Sequence, residues 1–292
     1  MDLKLKGRLE KDCPMSKYTW LRVGGQAQWF FHPADEEDLS YFLFHTQDIP
    51  KFFMGAGSNV LVRDGGIAGI VIKLGKGFHH FQCDGSELEI GAGLLDRHVA
   101  QHCQKLGISG FEFLYTIPGT IGGALAMNAG CYGGESAERL VWARVMDPLG
   151  TVHILSCQEL GYSYRQCQLP QGWVFLGGKV KGVLADTNAI AQTMEKFARN
   201  REKTQPLQVK TGGSTFANPP GYRAWELLDL GGYRGKIKGG AQFSPKHCNF
   251  LVNLGESTAA DLEDLAEEAR HAVSQSFGIC LEWEIVRWGH RA

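Results

Sequence analysis

The segment Thr116-Ile-Pro-Gly-Thr-Ile-Gly-Gly-Ala-Leu-Ala-Met-Asn-Ala-Gly-Cys-Tyr-Gly-Gly-Glu135 contains six glycines in twenty residues and no lysine or arginine. Glycines at this density allow left-handed backbone conformations and let main-chain N–H groups approach a ligand closely. The segment therefore predicts a backbone cradle for a phosphate-bearing ligand. A set of ordinary turns in a β-rich domain is the alternative interpretation.

A second glycine-rich loop lies upstream, Gly55-Ala-Gly-Ser-Asn-Val-Leu-Val-Arg-Asp-Gly-Gly66, between two apolar runs that are typical of strands. Two such loops in one half of the chain indicate a large ligand that carries a diphosphate. The chain contains neither Gly-x4-Gly-Lys-Ser/Thr nor Gly-x-Gly-x-x-Gly, which disfavours a P-loop and a Rossmann dinucleotide site.

The composition excludes several classes of protein. With 43% hydrophobic and 21% charged residues, 30 basic against 31 acidic side chains and no basic stripe, nucleic acid is not expected as a partner. No run of eighteen apolar residues occurs, and the amino terminus lacks the apolar core of a signal peptide, so we expect a cytoplasmic protein without a membrane partner. No obligate protein partner is inferred.

The cysteines and histidines predict no disulfide framework and no metal site. The eight cysteines are scattered and form no Cys-x-x-Cys, which favours reduced thiols. His98 and His102 are one helical turn apart but lack the glutamate of His-Glu-x-x-His, so we interpret the pair as helix surface.

Periodicity and turn residues predict an α+β fold. Helices are expected at residues 34–46, at 96–105 with Asp96 as the cap and Gly107 as the stop, from residue 187 onward, and at 258–277 with Gly278 as the stop. Strands are expected at residues 28–32, 52–54, 60–62, 69–74, 88–91, 141–146, 151–155, 160–165, 173–184, 250–253 and 280–286, with a hairpin turn at 147–150. The chain divides into a lead-in at residues 1–20, a first part at 21–186 and a carboxy-terminal domain at 187–292.

Three polar residues stand next to backbone-shaping or aromatic neighbours. Ser214 follows Gly212-Gly213 on a sharply turned loop, where it is either presented to a ligand or a simple turn residue. Arg165 ends an aromatic segment and is either a fork for a carboxylate or phosphate or a solvated structural arginine. Glu284 shares a strand face with Glu282 and either points into a cleft or belongs to a solvated acidic edge.

The order of these blocks along the chain resembles the UDP-N-acetylenolpyruvoylglucosamine reductase (MurB) family of peptidoglycan synthesis. The blocks extend over nearly the whole chain and are Gly55-Ala-Gly-Ser-Asn-Val-Leu-Val, Ile117-Pro-Gly-Thr-Ile-Gly-Gly-Ala, Asn128-Ala-Gly-Cys-Tyr-Gly, Tyr164-Arg165, Gly213-Ser214 with Phe216 and Asn218-Pro219, Gly239-Gly-Ala-Gln-Phe-Ser244 with His247 and Asn249-Phe250, and Leu281-Glu-Trp-Glu-Ile-Val-Arg287. Seven blocks in register are far more specific than one glycine motif.

The resemblance implies FAD held non-covalently at residues 21–186 in a vanillyl-alcohol-oxidase (PCMH) type fold of two subdomains. It also implies an α+β substrate domain at 187–292, with NADPH as co-substrate. It assigns catalysis to Arg165, Ser214 and Glu284 and substrate contact to Asn218 and His247; Lys203, Arg201 and His247 are candidates for binding uridine. The cofactor-binding positions that it implies are Gly55, Ala56, Gly57, Ser58, Asn59, Val60, Ile117, Pro118, Gly119, Thr120, Gly122 and Gly123.

The chain departs from the family pattern at a few positions. Cys167 stands where a serine is usual, which leaves open what orients Arg165, and Trp283 replaces a proline between the late glutamates. The short gap between Arg165 and Ser214 is similar to the class that lacks an extra tyrosine-bearing substrate loop. Two rival functions remain at this stage: an oxidase of a sugar or alcohol on the same fold, and a colourless nucleotide-binding regulator without catalysis.

Overall fold

The computed structural model describes residues 3–292 and separates the chain into two compact units. Unit 1 comprises the chain up to Lys11 together with Trp29–Ala56 and Gly69–Arg201. Unit 2 comprises Asp12–Gln28, Gly57–Ala68 and Glu202–Ala292. Both units are discontinuous in the sequence, and the continuous domain bounds given above stay a prediction.

The described part of the chain, residues 3–292, alternates between short strands and six α-helices. The helices are α1 (Glu36–His45), α2 (Asp96–Leu106), α3 (Ile121–Ala126), α4 (Thr187–Thr204), α5 (Ala224–Leu230) and α6 (Ala259–Phe277). The strands are β1 (Arg8–Pro14), β2 (Gln26–His32), β3 (Lys51–Met54), β4 (Val60–Val62), β5 (Ile67–Lys73), β6 (Phe81–Asp84), β7 (Glu87–Gly91), β8 (Ile108–Ser109), β9 (Gly130–Cys131), β10 (Gly134–Glu135), β11 (Leu140–Met146), β12 (Val152–Ser156), β13 (Val174–Lys181), β14 (Val183–Leu184), β15 (Lys210–Ser214), β16 (Ile237–Lys238), β17 (Ala241–Phe243), β18 (Phe250–Asn253) and β19 (Val286–Trp288).

Unit 1 contains an antiparallel five-stranded sheet in the order β12-β11-β13-β7-β6. Apolar side chains of β7, α2 and α3 share one core with this sheet, including Ile90, Val99 and Ile121. The predicted hairpin is confirmed, because β11 and β12 pair from Met146 and Val152 onward and the Asp147 carboxylate accepts hydrogen bonds within the turn. Because Ile121 belongs to the second glycine loop, this core packs directly against that loop.

A four-stranded sheet in the order β1-β2-β5-β3 carries the first glycine loop. Helix α1 begins at an Asp35 cap whose carboxylate accepts from the Asp38 N–H, and its Phe42 ring stacks on Phe31 at 4.0 Å between centroids. Strands β3 and β5 are parallel, with Met54 paired to Lys73. Both strands therefore end at the edge of the sheet where Gly55 begins the loop.

Unit 2 contains the antiparallel sheet β15-β18-β17-β16, whose apolar face packs with α5 and α6. Helix α6 is the predicted one: Thr258 and Asp261 form a capping box, and Gly278 ends the helix in a left-handed conformation. A separate parallel pair joins β4 to β19, from Val60–Val286 to Val62–Trp288.

A buried carboxylate ties α6 to both strands of that pair. Glu263 is 2% exposed and accepts two hydrogen bonds from Arg63, at 3.0 and 2.8 Å, and one from Arg287 at 2.8 Å. Arg291 approaches the same carboxylate at 3.5 Å. Burial opposes ionisation, but the two arginine contacts outweigh it and lower the pKa of Glu263.

Three predicted details are wrong. Asp96 does not cap α2: Leu95 occupies the cap position, and the Asp96 carboxylate accepts no hydrogen bond from any residue that the structure describes. Residues 160–165 are turns rather than a strand, because Gly161 and Arg165 both have positive φ angles, of 50° and 58°.

Residues 280–286 form an isolated antiparallel bridge, between Trp283 and Phe216, rather than a continuous strand, and β19 begins at Val286. Two main-chain hydrogen bonds flank the bridge: the Ala217 N–H donates to the Glu282 carbonyl, and the Glu284 N–H donates to the Thr215 carbonyl. The predicted alternation of burial holds at Leu281, Glu282 and Ile285, whereas Trp283 and Glu284 are both half-buried. No helix among the residues that the structure describes combines the length and the apolar composition needed to cross a bilayer.

Candidate functional site

Gly55, the first residue of the first glycine loop, meets the second loop within unit 1. A Cβ atom on Gly55 would lie only 2.4 Å from the Thr120 hydroxyl, so a side chain at Gly55 would collide with the second loop. An open cavity of about 110 Å³ lies at this meeting point and is lined by both loops. Its remaining walls are mostly apolar, from Phe53, Met54, Leu74, Leu169, Trp173 and Phe175 among others.

The glycines of the second loop serve packing as well as ligand approach. Thr120 caps α3, and the N–H groups of Ile121 and Gly122 donate to the carbonyls of Leu94 and Ala92. A Cβ on Gly122 would lie 3.0 Å from the Ala92 Cβ, so the short helix sits too close to its neighbour for a side chain. Because these glycines lack side chains, α3 can pack next to the cavity.

The first loop has free main-chain donors. Within residues 3–292, the N–H groups of Ala56, Gly57 and Ser58 have no hydrogen-bond partner. Unpaired successive N–H groups of a turned segment are a typical binding surface for an anion. This loop therefore matches the predicted cradle more closely than the second loop does.

Asp96 is a buried carboxyl that the sequence reasoning missed as a site residue. Its side chain is fully buried, and neither oxygen has a hydrogen-bond partner within the described chain. A Cβ on Gly119 would lie 2.4 Å from the Asp96 Oδ2, so the carboxyl lies directly against the second loop. Burial raises the pKa of Asp96 well above its usual range.

We expect an Asp96→Asn variant to melt at a higher temperature than the wild type at about pH 8, and at the same temperature near the ordinary aspartate pKa of about 3.9. A carboxyl with a raised folded-state pKa costs stability as pH rises above the unfolded value, because the unfolded chain ionises first. Circular dichroism melts across this range measure the effect, with the exposed Asp84→Asn as control. An equal shift at both pH values would contradict the assignment.

The Arg165 guanidinium contacts the second glycine loop in unit 1. Its guanidinium donates to the carbonyls of Asn128 and Gly130, at 3.2 and 2.6 Å, and sits 4.8 Å from the centre of the Tyr164 ring. The residue itself is left-handed, a conformation that is rare outside glycine and common at functional sites. These contacts orient the guanidinium, although position 167 is Cys167 and not the usual serine.

The Asn128 side chain links Ser163, close to Arg165 in the sequence, with Ala137. It is fully buried, its side-chain amide donates to the Ser163 carbonyl at 3.1 Å, and its oxygen accepts from the Ala137 N–H at 3.0 Å. The Asn128 main chain that accepts from the guanidinium is therefore held in place by the hydrogen bonds of its own side chain.

Ser214 and Glu284 belong to unit 2, where their backbones share neighbours. Ser214 ends β15 after Gly213, whose φ is 82°, and a register shift separates it from Thr211. The Glu284 N–H donates to the carbonyl of Thr215, the residue after the serine, at 2.9 Å. The Glu284 carbonyl accepts from the Asn59 side chain at 3.0 Å, so Glu284 lies between the serine loop and the first glycine loop.

The two predicted substrate contacts have structural roles in unit 2. The Asn218 side chain accepts from the Ala224 N–H at 3.0 Å at the start of α5. The His247 ring lies near Phe250 and Trp225, its Nδ1 is buried without a partner in the described structure, and burial lowers its pKa. Both substrate roles stay predictions.

Comparison with known proteins covers the whole chain. Residues 27–156 match an FAD-binding domain, and residues 205–288 match the carboxy-terminal domain of UDP-N-acetylenolpyruvoylglucosamine reductase. The first match contains both glycine loops. In unit 1, the Ala56 N–H, which has no partner within residues 3–292, and the mostly apolar cavity fit a cofactor with a diphosphate and a flat ring system.

The chain is 48% identical over 289 residues to UDP-N-acetylenolpyruvoylglucosamine reductase of Paramagnetospirillum magneticum, covering 99% of this chain and 94% of that protein. It superposes on the crystal structure of the MurB enzyme from Thermus caldophilus with a TM-score of 0.86 at 34% identity, covering 97% and 100% of the two chains. A likeness to 6-hydroxy-D-nicotine oxidase of Arthrobacter nicotinovorans, with a TM-score of 0.56, 12% identity and coverage of 95% and 88%, concerns the fold alone. The fold class predicted from the sequence is confirmed, and the chain belongs to the UDP-N-acetylenolpyruvoylglucosamine reductase (MurB) family.

Proposed function

We propose that this chain reduces the enolpyruvyl ether of UDP-N-acetylglucosamine enolpyruvate to UDP-N-acetylmuramate in the cytoplasm, with NADPH as reductant. The observation that carries the proposal is the pair of main-chain contacts of Glu284. Its carbonyl accepts a hydrogen bond from the Asn59 side chain in the first glycine loop, and its N–H donates to the carbonyl of Thr215, next to Ser214. Family membership over nearly the whole chain supports the substrate. The two family matches lie inside the domain bounds 21–186 and 187–292.

FAD, when bound, supplies hydride transfer from NADPH to the vinyl carbon distal to the ether oxygen. Residues of both glycine loops would hold it, with main-chain donors of the first loop at the diphosphate. Hydride addition moves negative charge onto the substrate carboxylate, and such charge is costly in a dry site unless donors are already in place.

Arg165 supplies a permanent positive charge for that carboxylate, because its guanidinium is oriented before substrate arrives. Glu284, when protonated, donates a hydrogen bond to the same developing charge. Ser214 gives its hydroxyl proton to the carbon next to the carboxylate, and solvent returns a proton to the serine oxygen.

The purified protein should be yellow, lose the flavin absorbance when NADPH is added without oxygen, and recover it when the enolpyruvyl sugar nucleotide follows. Absorbance spectroscopy with stoichiometric additions measures each half-reaction separately. A colourless protein would contradict the proposal. So would a flavin that oxygen reoxidises through repeated turnovers while the sugar nucleotide has no effect, since that result fits an oxidase.

A further inference from the structure

Lys73 is a partly buried cation at the edge of the sheet that carries the first glycine loop. It is the last residue of β5 and is paired with Met54, the last residue of β3. Its Nζ donates to the Gly55 carbonyl at 2.5 Å. The side chain thus reaches the first residue after β3 rather than solvent.

Within residues 3–292, no acidic side chain lies within ion-pair distance of the Lys73 Nζ, and burial lowers the pKa of the amine. The pKa of His32 is lowered first by burial and then by the Lys73 charge. A partly buried ammonium without an anion is unfavourable, so its position beside a binding loop favours the binding of an anion there.

The hydrogen bond from Lys73 to the Gly55 carbonyl also fixes the direction of the next main-chain N–H, that of Ala56. In a trans peptide the carbonyl and the following N–H point in opposite directions. With the Gly55 carbonyl held by Lys73, the Ala56 N–H points away from the ammonium, and it has no partner within the described chain. Gly55 also lines the cavity that it shares with Thr120.

We propose that Lys73 is a positioning residue for the cofactor diphosphate: it fixes the Gly55–Ala56 peptide so that the Ala56 N–H faces the anion, and it supplies the nearby positive charge. This inference rests on the proposed function, because it takes the bound anion to be the FAD diphosphate. The residues next to Gly55 do not supply such a charge, since neither Gly55–Asn59 nor the 116–135 segment contains a lysine or arginine.

The test compares ligands with and without the diphosphate. Apo-protein is titrated with FAD and with riboflavin, and binding is followed by flavin fluorescence. We expect Lys73→Met to weaken FAD binding by about 10–100-fold, as for loss of a hydrogen bond to a charged group, and to leave riboflavin binding within about twofold. Lys73→Arg should restore much of the FAD affinity, and Lys76→Met, at an exposed lysine three residues later, should change neither ligand.

Two results would overturn the inference. One is FAD binding by Lys73→Met that is as tight as in the wild type. The other is equal weakening of FAD and riboflavin, which would make Lys73 a purely structural support of the loop. If the wild-type chain itself fails to bind FAD, the proposed function fails instead, so the two failures are distinguishable.

Discussion

A Ser214→Ala variant should reduce the enolpyruvyl sugar nucleotide about 10²–10⁴-fold more slowly than the wild type, the range expected for loss of a positioned proton donor. Reduction of its flavin by NADPH should stay at the wild-type rate, because that half-reaction needs no proton from the serine. Anaerobic stopped-flow absorbance measures both half-reactions in one preparation.

Matched variants make this result specific. Ser214→Cys keeps an ionisable proton donor at the same position and should recover part of the rate, whereas Ser274→Ala, on the exposed face of α6, should have no effect. Normal binding of flavin by Ser214→Ala would show that the fold is intact. Reoxidation of Ser214→Ala by substrate at the wild-type rate would rule out the serine as the acid.

Glu263→Ala should destabilise unit 2 by an amount toward the lower end of the roughly 3–5 kcal/mol that accompanies loss of one partner from a buried ion pair. The carboxylate is 2% exposed and serves Arg63 and Arg287 together. Its removal takes the bidentate anion from Arg63, whereas Arg287 keeps an ion pair with Glu267 at 2.9 Å. The arginines are 28% exposed, which lets water recover part of the cost. Circular dichroism melts of the full chain should show a lower melting temperature.

The pH dependence of this effect has a defined sign. Because the folded-state pKa of Glu263 is lowered, its contribution is present above the unfolded glutamate value of about 4.3 and is lost as pH falls through the folded value. The matched control is Glu268→Ala, which removes an exposed carboxylate paired with Lys236 and Lys238 and should cost about 0–1 kcal/mol. Equal losses for the two variants would contradict a special role for the buried carboxylate.

The parts of the fold that were predictable are those in which local sequence and tertiary contacts agree. In α6 the Thr258 cap, the apolar stripe and the Gly278 stop all lie within one segment, so no distant information is needed. The β11–β12 hairpin is local for the same reason, since its turn supplies its own hydrogen bonds through Asp147. Elements in which the caps, the apolar pattern and the tertiary packing agree can be predicted from a single sequence.

The errors occurred where distant partners decide the backbone. Residues 160–165 alternate like a strand, yet the left-handed Arg165 is held by carbonyls more than thirty positions earlier in the chain. Residues 280–286 alternate as well, but their hydrogen bonds go to Thr215 and Asn59, which no local pattern reveals. Asp96 is the first residue of α2, but its carboxyl lies against Gly119 instead of capping the helix.

The glycine loops were visible in the sequence because glycine density is itself a local signal. Lys73 and Glu263 were not visible, because the importance of each depends on its tertiary surroundings. Within residues 3–292 the lysine has no acidic side chain at ion-pair distance, and the glutamate binds Arg63, 200 positions earlier in the chain. A charged residue at the end of a buried strand, as in Ile-Val-Ile-Lys73, was the available sequence signal for the first.

The parallel pairing of β4 with β19 constrains how the nascent protein matures on the ribosome. Val60–Val62 cannot pair with Val286–Trp288 until more than two hundred further residues have been synthesised, so β4 waits without this strand partner while they are made. A product truncated before Val286 would leave β4 without β19 and expose a strand edge that can pair with other chains.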